Sequence, residues 1–330
     1  MAYNPDYIDG DVAYLLGLVV ARGTLLETPQ VRQLTIEFPF RNLTAEGIKS
    51  KFDQETAIRL GLADIRERLL ELLDTDITIV RKSDSVDFVI RFLRHSMIWR
   101  NLNLLLGGKT SYQFFHIPEI FFVPELEFEV KREFVRGFAD VAGNIRHANR
   151  YIDGRHRVRL DILNFKSNWE LPVKLCLLLQ EQLNVPVQLI TWGHPNLGRD
   201  FREHQLNLFA EPFAKIGFSL EHKQKILEEF ISHDKKLERH EYHGCPGIRP
   251  LRDPKPKDRQ EKSARLDPRL QGKHFDAYWQ ICKALGCPRV PAQGYQPELI
   301  LEAPDSTEET ASGEFENVVP KRKRNVSRRR

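Results

Sequence analysis

Cysteine is scarce in this 330-residue chain: Cys176, Cys245, Cys282 and Cys287 are four thiols too few and too scattered for a disulfide framework. A reducing, intracellular compartment is the expectation. No apolar run approaches the ~18–20 residues of a membrane span, so no membrane partner is expected. The opening Met1–Gly10 is polar and acidic and lacks a basic n-region, which argues against a signal peptide. Tight metal-ligand spacing is lacking too. His240, His243, Cys245, Cys282 and Cys287 are the zinc-ligand types present, but Cys-x4-Cys without a second close pair is a poor match, and no metal site is expected. Cys176 lies in an apolar helical run and reads as a buried small hydrophobe.

The excess of one charge is small, +4 overall, but it is unevenly distributed. Arg252, Lys255, Lys257, Arg259, Lys262, Arg265, Arg269 and Lys273 form one basic stretch, and Lys321–Arg330 holds seven basic side chains and no acid. An acidic patch from Glu302 to Glu316 separates the two. Such runs ordinarily mark solvated segments; beside a structured binder they become evidence for nucleic acid. The final run also fits a nuclear localisation signal. The expected location is cytoplasm or nucleoid, or the nucleus in a eukaryote.

With 41% hydrophobic and 10% aromatic residues, the chain has what a sizeable core needs, and its length favours two or three domains. An internal repeat is present. The apolar segment Tyr14–Ala21 contains Gly17 and ends at Arg22-Gly23; Phe134–Ala142 contains Gly137 and ends at Gly143; the two inner glycines lie 120 residues apart. The downstream segments match as well. After the first motif come strand-like runs (Val31–Phe40 the clearer), a helix near Ala57–Leu73, a hairpin of Ile77–Lys82 with Asp87–Leu93, and a helix near Ser96–Leu105. After the second come Ile145–Ala148 and Arg157–Asn164, a helix near Leu171–Leu183, a hairpin of Val187–Trp192 with Gln205–Glu211, and a helix near Leu220–Ser232. Periodicity therefore predicts an α+β protein of two pseudo-symmetric αββαββα repeats. The domains are expected at 1–114 and 131–232, joined by a linker at 115–130. A basic, Pro-rich extension with a short helix at His274–Leu285 would cover 233–300, and a disordered acidic-then-basic tail 301–330.

A mid-helix glycine costs about 0.5–1 kcal/mol against alanine. Close approach of two backbones is the usual compensation. Gly17, Gly23, Gly137 and Gly143 are therefore expected at a helix–helix interface that sets two sheets side by side as one saddle. Leu15-Leu-Gly-Leu-Val-Val-Ala-Arg-Gly23 and Val135-Arg-Gly-Phe-Ala-Asp-Val-Ala-Gly143 resemble the paired LAGLIDADG helices of homing endonucleases. Ile117-Pro118 leading into Phe134, Leu171-Pro-Val-Lys-Leu into Leu183-Asn-Val-Pro-Val, and Ala214-Lys-Ile-Gly-Phe218 are similar to passages of the same family; the resemblance covers about residues 8–232.

The resemblance implies a duplex-DNA binder, and it also implies a defect. In the family the eighth motif position carries the acid that holds divalent cations over the scissile phosphates, where oxygen ligation positions water and offsets charge. Those positions here are Arg22 and Ala142. Asp140, at the sixth position, has Val20 as its counterpart and reads as structural rather than as a replacement ligand. The nuclease centre reads as dismantled, with no cofactor; Mg²⁺ enters only if a rearranged acid pair cuts.

The DNA-facing surface reads as better kept. Alternation sets Arg155, Arg157 and Arg159 on one face of a strand, opposite His156, Val158 and Leu160. Such a row reaches guanine edges or phosphates in a major groove. Gln33, Thr35 and Glu37 are the equivalent face in the first repeat, with Lys82 and Arg91 as basic contacts and Gln205 and Asn207 as base readers in the second. The function expected is double-stranded DNA binding by a monomer with an internal pseudo-two-fold. The alternatives are an active metal-dependent endonuclease and an RNA-binding, maturase-like splicing factor.

Overall fold

In a computed structural model, residues 8–147, 156–165, 170–194 and 201–235 are described. All lie in the first of two compact units, Met1–Tyr295; the second, Gln296–Arg330, falls outside the described residues. The first repeat begins with α1 (Gly10–Arg22), whose amino end is capped by the Asp9 carboxylate accepting from the amides of Asp11 and Val12. It continues through β1 (Gly23–Glu27), β2 (Arg32–Pro39), a single turn α2 (Phe40–Leu43), β3 (Ala45–Glu46), α3 (Gln54–Leu73), β4 (Ile77–Arg81), β5 (Ser85–Phe92) and α4 (Met97–Leu105). A one-turn helix, Glu119–Phe122, sits in the linker with Ile117, Ile120 and Phe121 buried. The second repeat comprises α5 (Phe128–Ala142), β6 (Gly143–Arg146), β7 (Arg157–Phe165), α6 (Glu170–Leu177) running into a wider turn at Leu178–Gln182, β8 (Val187–His194), β9 (Phe201–Phe209), the turn α7 (Ala210–Phe213) and α8 (Glu221–Asp234).

The αββαββα order read from the sequence is present twice, but the sheets are unequal. The first has four strands in the order β1-β2-β5-β4; the second has five, β3-β6-β7-β9-β8. The extra strand comes from the other repeat: Ala45–Glu46 leaves the first repeat and pairs parallel with Ile145 and Arg146. A two-residue strand carries too little alternation to be legible in sequence. Several strand boundaries differ as well. Lys82 lies past the end of β4, and Glu211 belongs to α7 rather than to the preceding strand. The edge drawn at 232/233 also cuts a helix, because α8 continues to Asp234.

α1 is buried all round from Ala13 to Arg22, as a helix at the centre of a fold must be. α5 packs along it, and α5 touches both β2 and β7, so one helix pair backs both sheets. Leu34, Ile36 and Phe38 of β2 and Phe88 and Ile90 of β5 turn inward from the first sheet. Val158, Leu160, Leu206 and Leu208 do the same from the second.

Candidate nucleic-acid interface

The helix pair meets at its glycines. A methyl group built on Gly17 would overlap the Phe134 carbonyl oxygen, and one on Gly137 the Tyr14 carbonyl oxygen. Tyr14 and Phe134 each immediately precede their own nonapeptide, so the contact is reciprocal about a pseudo-two-fold. The closing glycines have a different task. Each helix passes straight into a strand at Gly23 and Gly143, where a Cβ would strike the helix's own last turn.

The two helix feet are where charge matters. At the foot of α1, Arg22 is only 3% exposed, with its guanidinium 5.5 Å from the centre of the Tyr112 ring. The guanidinium is hydrogen-bonded to Tyr112, while its Nε and Nη2 are buried without a hydrogen-bond partner among the described residues. Burial lowers its pKa from the ordinary arginine value, and the nearby Arg41 pushes the same way while Tyr112 and Glu37 oppose. At the foot of α5 the carbonyls have donors. Asn42, from the first repeat, donates from Nδ2 to the Ala142 carbonyl and to Asp161 Oδ2, both at 3.1 Å. Lys223 of α8 donates to the carbonyls of Asp140 and Gly143, both at 3.0 Å. Sequence reasoning did not single out Asn42, Tyr112 or Lys223; nothing in their spacing marks them.

Asp140 is fully buried. Its Oδ2 accepts the Tyr14 hydroxyl at 2.7 Å, and Oδ1 accepts the Ser219 amide at 3.1 Å. Burial raises its pKa, with Lys223 and Tyr14 pulling it back; burial likewise pushes the Tyr14 phenol well up, with Asp140 adding to it. The carboxylate is thus consumed in joining α1, α5 and the approach to α8. Among the described residues, no group of three metal-ligating side chains lies at the helix feet.

On the first sheet, Gln33, Thr35 and Glu37 share a half-buried face with Val89 and Arg91 of β5, while Thr24, Leu26, Thr78 and Val80 on the same face are exposed. Gln33 donates to the Thr35 hydroxyl at 3.2 Å. Arg91 is exposed; Lys82 is exposed but ion-paired with buried Asp87 at 2.6 Å. On the second sheet the expectation of an open arginine row needs correction. Arg155 lies outside the described residues. Arg157 is 2% exposed, its guanidinium 4.6 Å from the centre of the Phe209 ring that faces it across the sheet. Arg159 is a quarter exposed and ion-paired at 2.9 Å with Asp161, which Asn42 also engages. Asn207, opposite Arg159, is buried as well, so it is not a ready base reader, whereas Gln205 is half-buried. Alternation assigned these residues to one face correctly. It said nothing of the Phe209 ring beside Arg157 or of the Asn42–Asp161 hydrogen bond beside Arg159.

The fold is therefore that of a single-chain, two-repeat α+β protein built on a central glycine-notched helix pair. Neither a protein-family model nor a curated protein sequence matches the chain. Among solved structures it is similar to the homing endonuclease I-DmoI in complex with DNA and Ca, at 17% identity over 60% of this chain and 82% of that one, with a TM-score of 0.36. It is also similar to full-length DUF199/WhiA from Thermatoga maritima, at 13% identity over 70% and 62%, TM-score 0.39. The N-terminal LAGLIDADG domain of DUF199/WhiA is similar at 11% identity over 71% and 84%, TM-score 0.32. At these identities and scores the likeness says nothing of ligand or reaction.

Proposed function

We propose that this chain binds double-stranded DNA across its two sheets and does not hydrolyse it. One observation carries the reading: at the shared foot of the helix pair lies Arg22, a buried guanidinium two of whose nitrogens have no hydrogen-bond partner among the described residues. Leaving charged donors unsatisfied in a low-dielectric site is costly, and a phosphate oxygen is the acceptor whose geometry fits the guanidinium fork. The resemblance of both nonapeptides to LAGLIDADG helices supports the same surface. Arg91, Lys82 and Arg159 would add phosphate contacts, and Gln33, Thr35, Glu37 and Gln205 would face base edges. Leu26 and Val80 offer apolar contact for thymine methyls.

The loss of cutting rests on ligand chemistry. Phosphodiester hydrolysis by a divalent ion needs oxygen ligands at the scissile group. Arg22 and Ala142 stand at the two feet, and Asp140 is committed to Tyr14 and Ser219. The test uses the full chain and a random-sequence duplex, with affinity measured across a salt series with and without Mg²⁺, beside a plasmid-nicking assay. Binding is expected to weaken linearly in log–log terms as salt rises, with a slope of about −0.9 per phosphate contact. Arg22→Gln is expected to lower that slope by about one. Salt-independent retention, or preference for structured RNA in competition, would overturn the DNA reading. Robust Mg²⁺-dependent nicking that Asp140→Ala abolishes would overturn the loss of cleavage.

A further inference from the structure

Far along the chain from the helix feet, α8 ends against the beginning of β7, and the residues that meet there are of one chemical kind. His156 immediately precedes β7; His233 and Asp234 form the last turn of α8. His156 is wholly buried, stacked on Phe230 with ring centres 4.2 Å apart, and its ring stands edge-on to that of His233 at 5.0 Å. Nδ1 of His156 lies 2.6 Å and Nδ1 of His233 3.5 Å from the same oxygen, Oδ1 of Asp234. The other carboxylate oxygen accepts the backbone amide of His156 at 2.8 Å, which fixes its orientation. Among the described residues, Nε2 of His156 is buried without a hydrogen-bond partner, and Nδ1 of His233 is buried with only its 3.5 Å contact to Asp234. One ligand atom from each of the three residues can be chosen so that all lie within 4.8 Å of one another.

We propose that His156, His233 and Asp234 bind a divalent transition-metal ion of the zinc class, which ties the carboxyl end of α8 to the start of β7. Imidazole ligands favour zinc and its first-row neighbours over Mg²⁺ or Ca²⁺, and a single carboxylate supplies the anionic ligand. Zinc bonds of ~2.0–2.1 Å in a tetrahedron set ligand–ligand edges near ~3.3 Å. The His233–Asp234 separation of 3.5 Å already meets that. The His156–Asp234 pair, hydrogen-bonded at 2.6 Å, must open by roughly 0.7 Å. The Asp234 oxygen held by the His156 amide acts as the orienting contact that metal sites commonly carry behind their ligands. Water completes the fourth position. The ion would clamp the point where the chain leaves the second repeat. This inference stands apart from DNA binding, so either can fail alone.

The test is metal binding to the full chain, with Zn²⁺ and Co²⁺ as probes. Stoichiometry comes from dialysis and elemental analysis, ligand type from the Co²⁺ spectrum, and stability from thermal unfolding with and without Zn²⁺. The wild type is expected to bind zinc and to unfold at higher temperature with it. His233→Ala and Asp234→Asn, both in the last turn of α8, are expected to lose one equivalent or weaken binding at least about tenfold. They should also lose the zinc-dependent thermal shift. His156→Ala is a poorer probe because that ring is part of the core. Combined Cys245→Ser, Cys282→Ser and Cys287→Ser should leave this equivalent and its thiolate-free Co²⁺ spectrum intact. The proposal is overturned if the wild type binds no zinc, if the three serine substitutions remove all of it, or if His233→Ala and Asp234→Asn bind as the wild type does.

Discussion

The two central helices touch through the same backbone contact and end in opposite chemistry. Gly17 meets the carbonyl before the second motif, and Gly137 the carbonyl before the first. Around that symmetric core the side chains diverge. Tyr14 donates to Asp140 across the pair, while the equivalent positions on the other side are Phe134 and Val20, both buried and apolar. The foot of α5 has its carbonyls satisfied by Asn42 and Lys223; the foot of α1 holds an arginine with donors to spare. Symmetry is thus enforced where atoms touch backbone and is free to decay where only side chains meet. One foot has become a structural joint, and the other holds a buried arginine beside Tyr112.

The symmetric part should be the least tolerant. Gly17→Ala and Gly137→Ala each press a methyl onto a carbonyl oxygen that cannot rotate away, so each is expected to cost about 3 kcal/mol or more, the upper range of overpacking. Denaturant titration would show it, and equal costs are the signature of reciprocity. If one alanine is tolerated and the other is not, the pair is not truly two-fold. The asymmetric part comes next. Tyr14→Phe removes a hydrogen bond to a buried carboxylate and is expected to cost about 2 kcal/mol. The converse change, Phe134→Tyr, brings a hydroxyl to the side where Val20 replaces the acid, and should destabilise rather than strengthen the pair. A gain in stability from Phe134→Tyr would mean that an acceptor exists there after all.

How much of this was legible in the sequence depends on whether a property belongs to one segment or to two. The glycine-notched helices, the alternation of β2 and β7, and the order of elements in each repeat are local patterns, and the structure contains them. The transfer of Ala45–Glu46 to the second sheet is not local, and two residues have no period. Arg157 shows the limit most clearly. Period-two alternation places it on the polar face, yet it is buried, with its guanidinium against the Phe209 ring that the sheet register sets opposite it. Arg22 and Ala142 were readable as missing acids because the motif numbers its own positions. The burial and unmet donors of Arg22 depend on a packed neighbourhood that includes Tyr112, ninety residues on. The histidine cluster was invisible for the same reason: His156 and His233 share neither an element nor a spacing rule.

Lys223 allows the α5 foot to be tested by pH. Burial lowers its pKa from 10.5 to about 8 in the folded protein, with Asp140 and Asp161 opposing that drop. The unfolded chain then holds more protons between about pH 8 and 10.5, so this residue makes stability rise with pH across that window. The rise is at most about 1.4 kcal/mol per pH unit, one proton's worth, and it flattens below the folded pKa. Subtracting the profile of Lys223→Met from that of the wild type isolates the contribution. Parallel profiles would show that the ammonium is not desolvated, and the joint at α5 would then be looser than its hydrogen bonds suggest.

The smallest effect should separate exposed from interior arginines. Arg91 sits exposed on the polar face of the first sheet, so Arg91→Ala is expected to leave stability within about 0.5 kcal/mol while lowering the salt slope of DNA binding by about one. Arg157 is expected to do the reverse: Arg157→Ala removes a buried cation stacked on Phe209, costing about 2 kcal/mol, and leaves the salt slope unchanged. The contrast matters because both residues sit on a polar sheet face by alternation alone. If Arg157→Ala lowers the slope while Arg91→Ala does not, DNA must reach the guanidinium that is buried beside Phe209. Binding would then require Arg157 to leave its buried position.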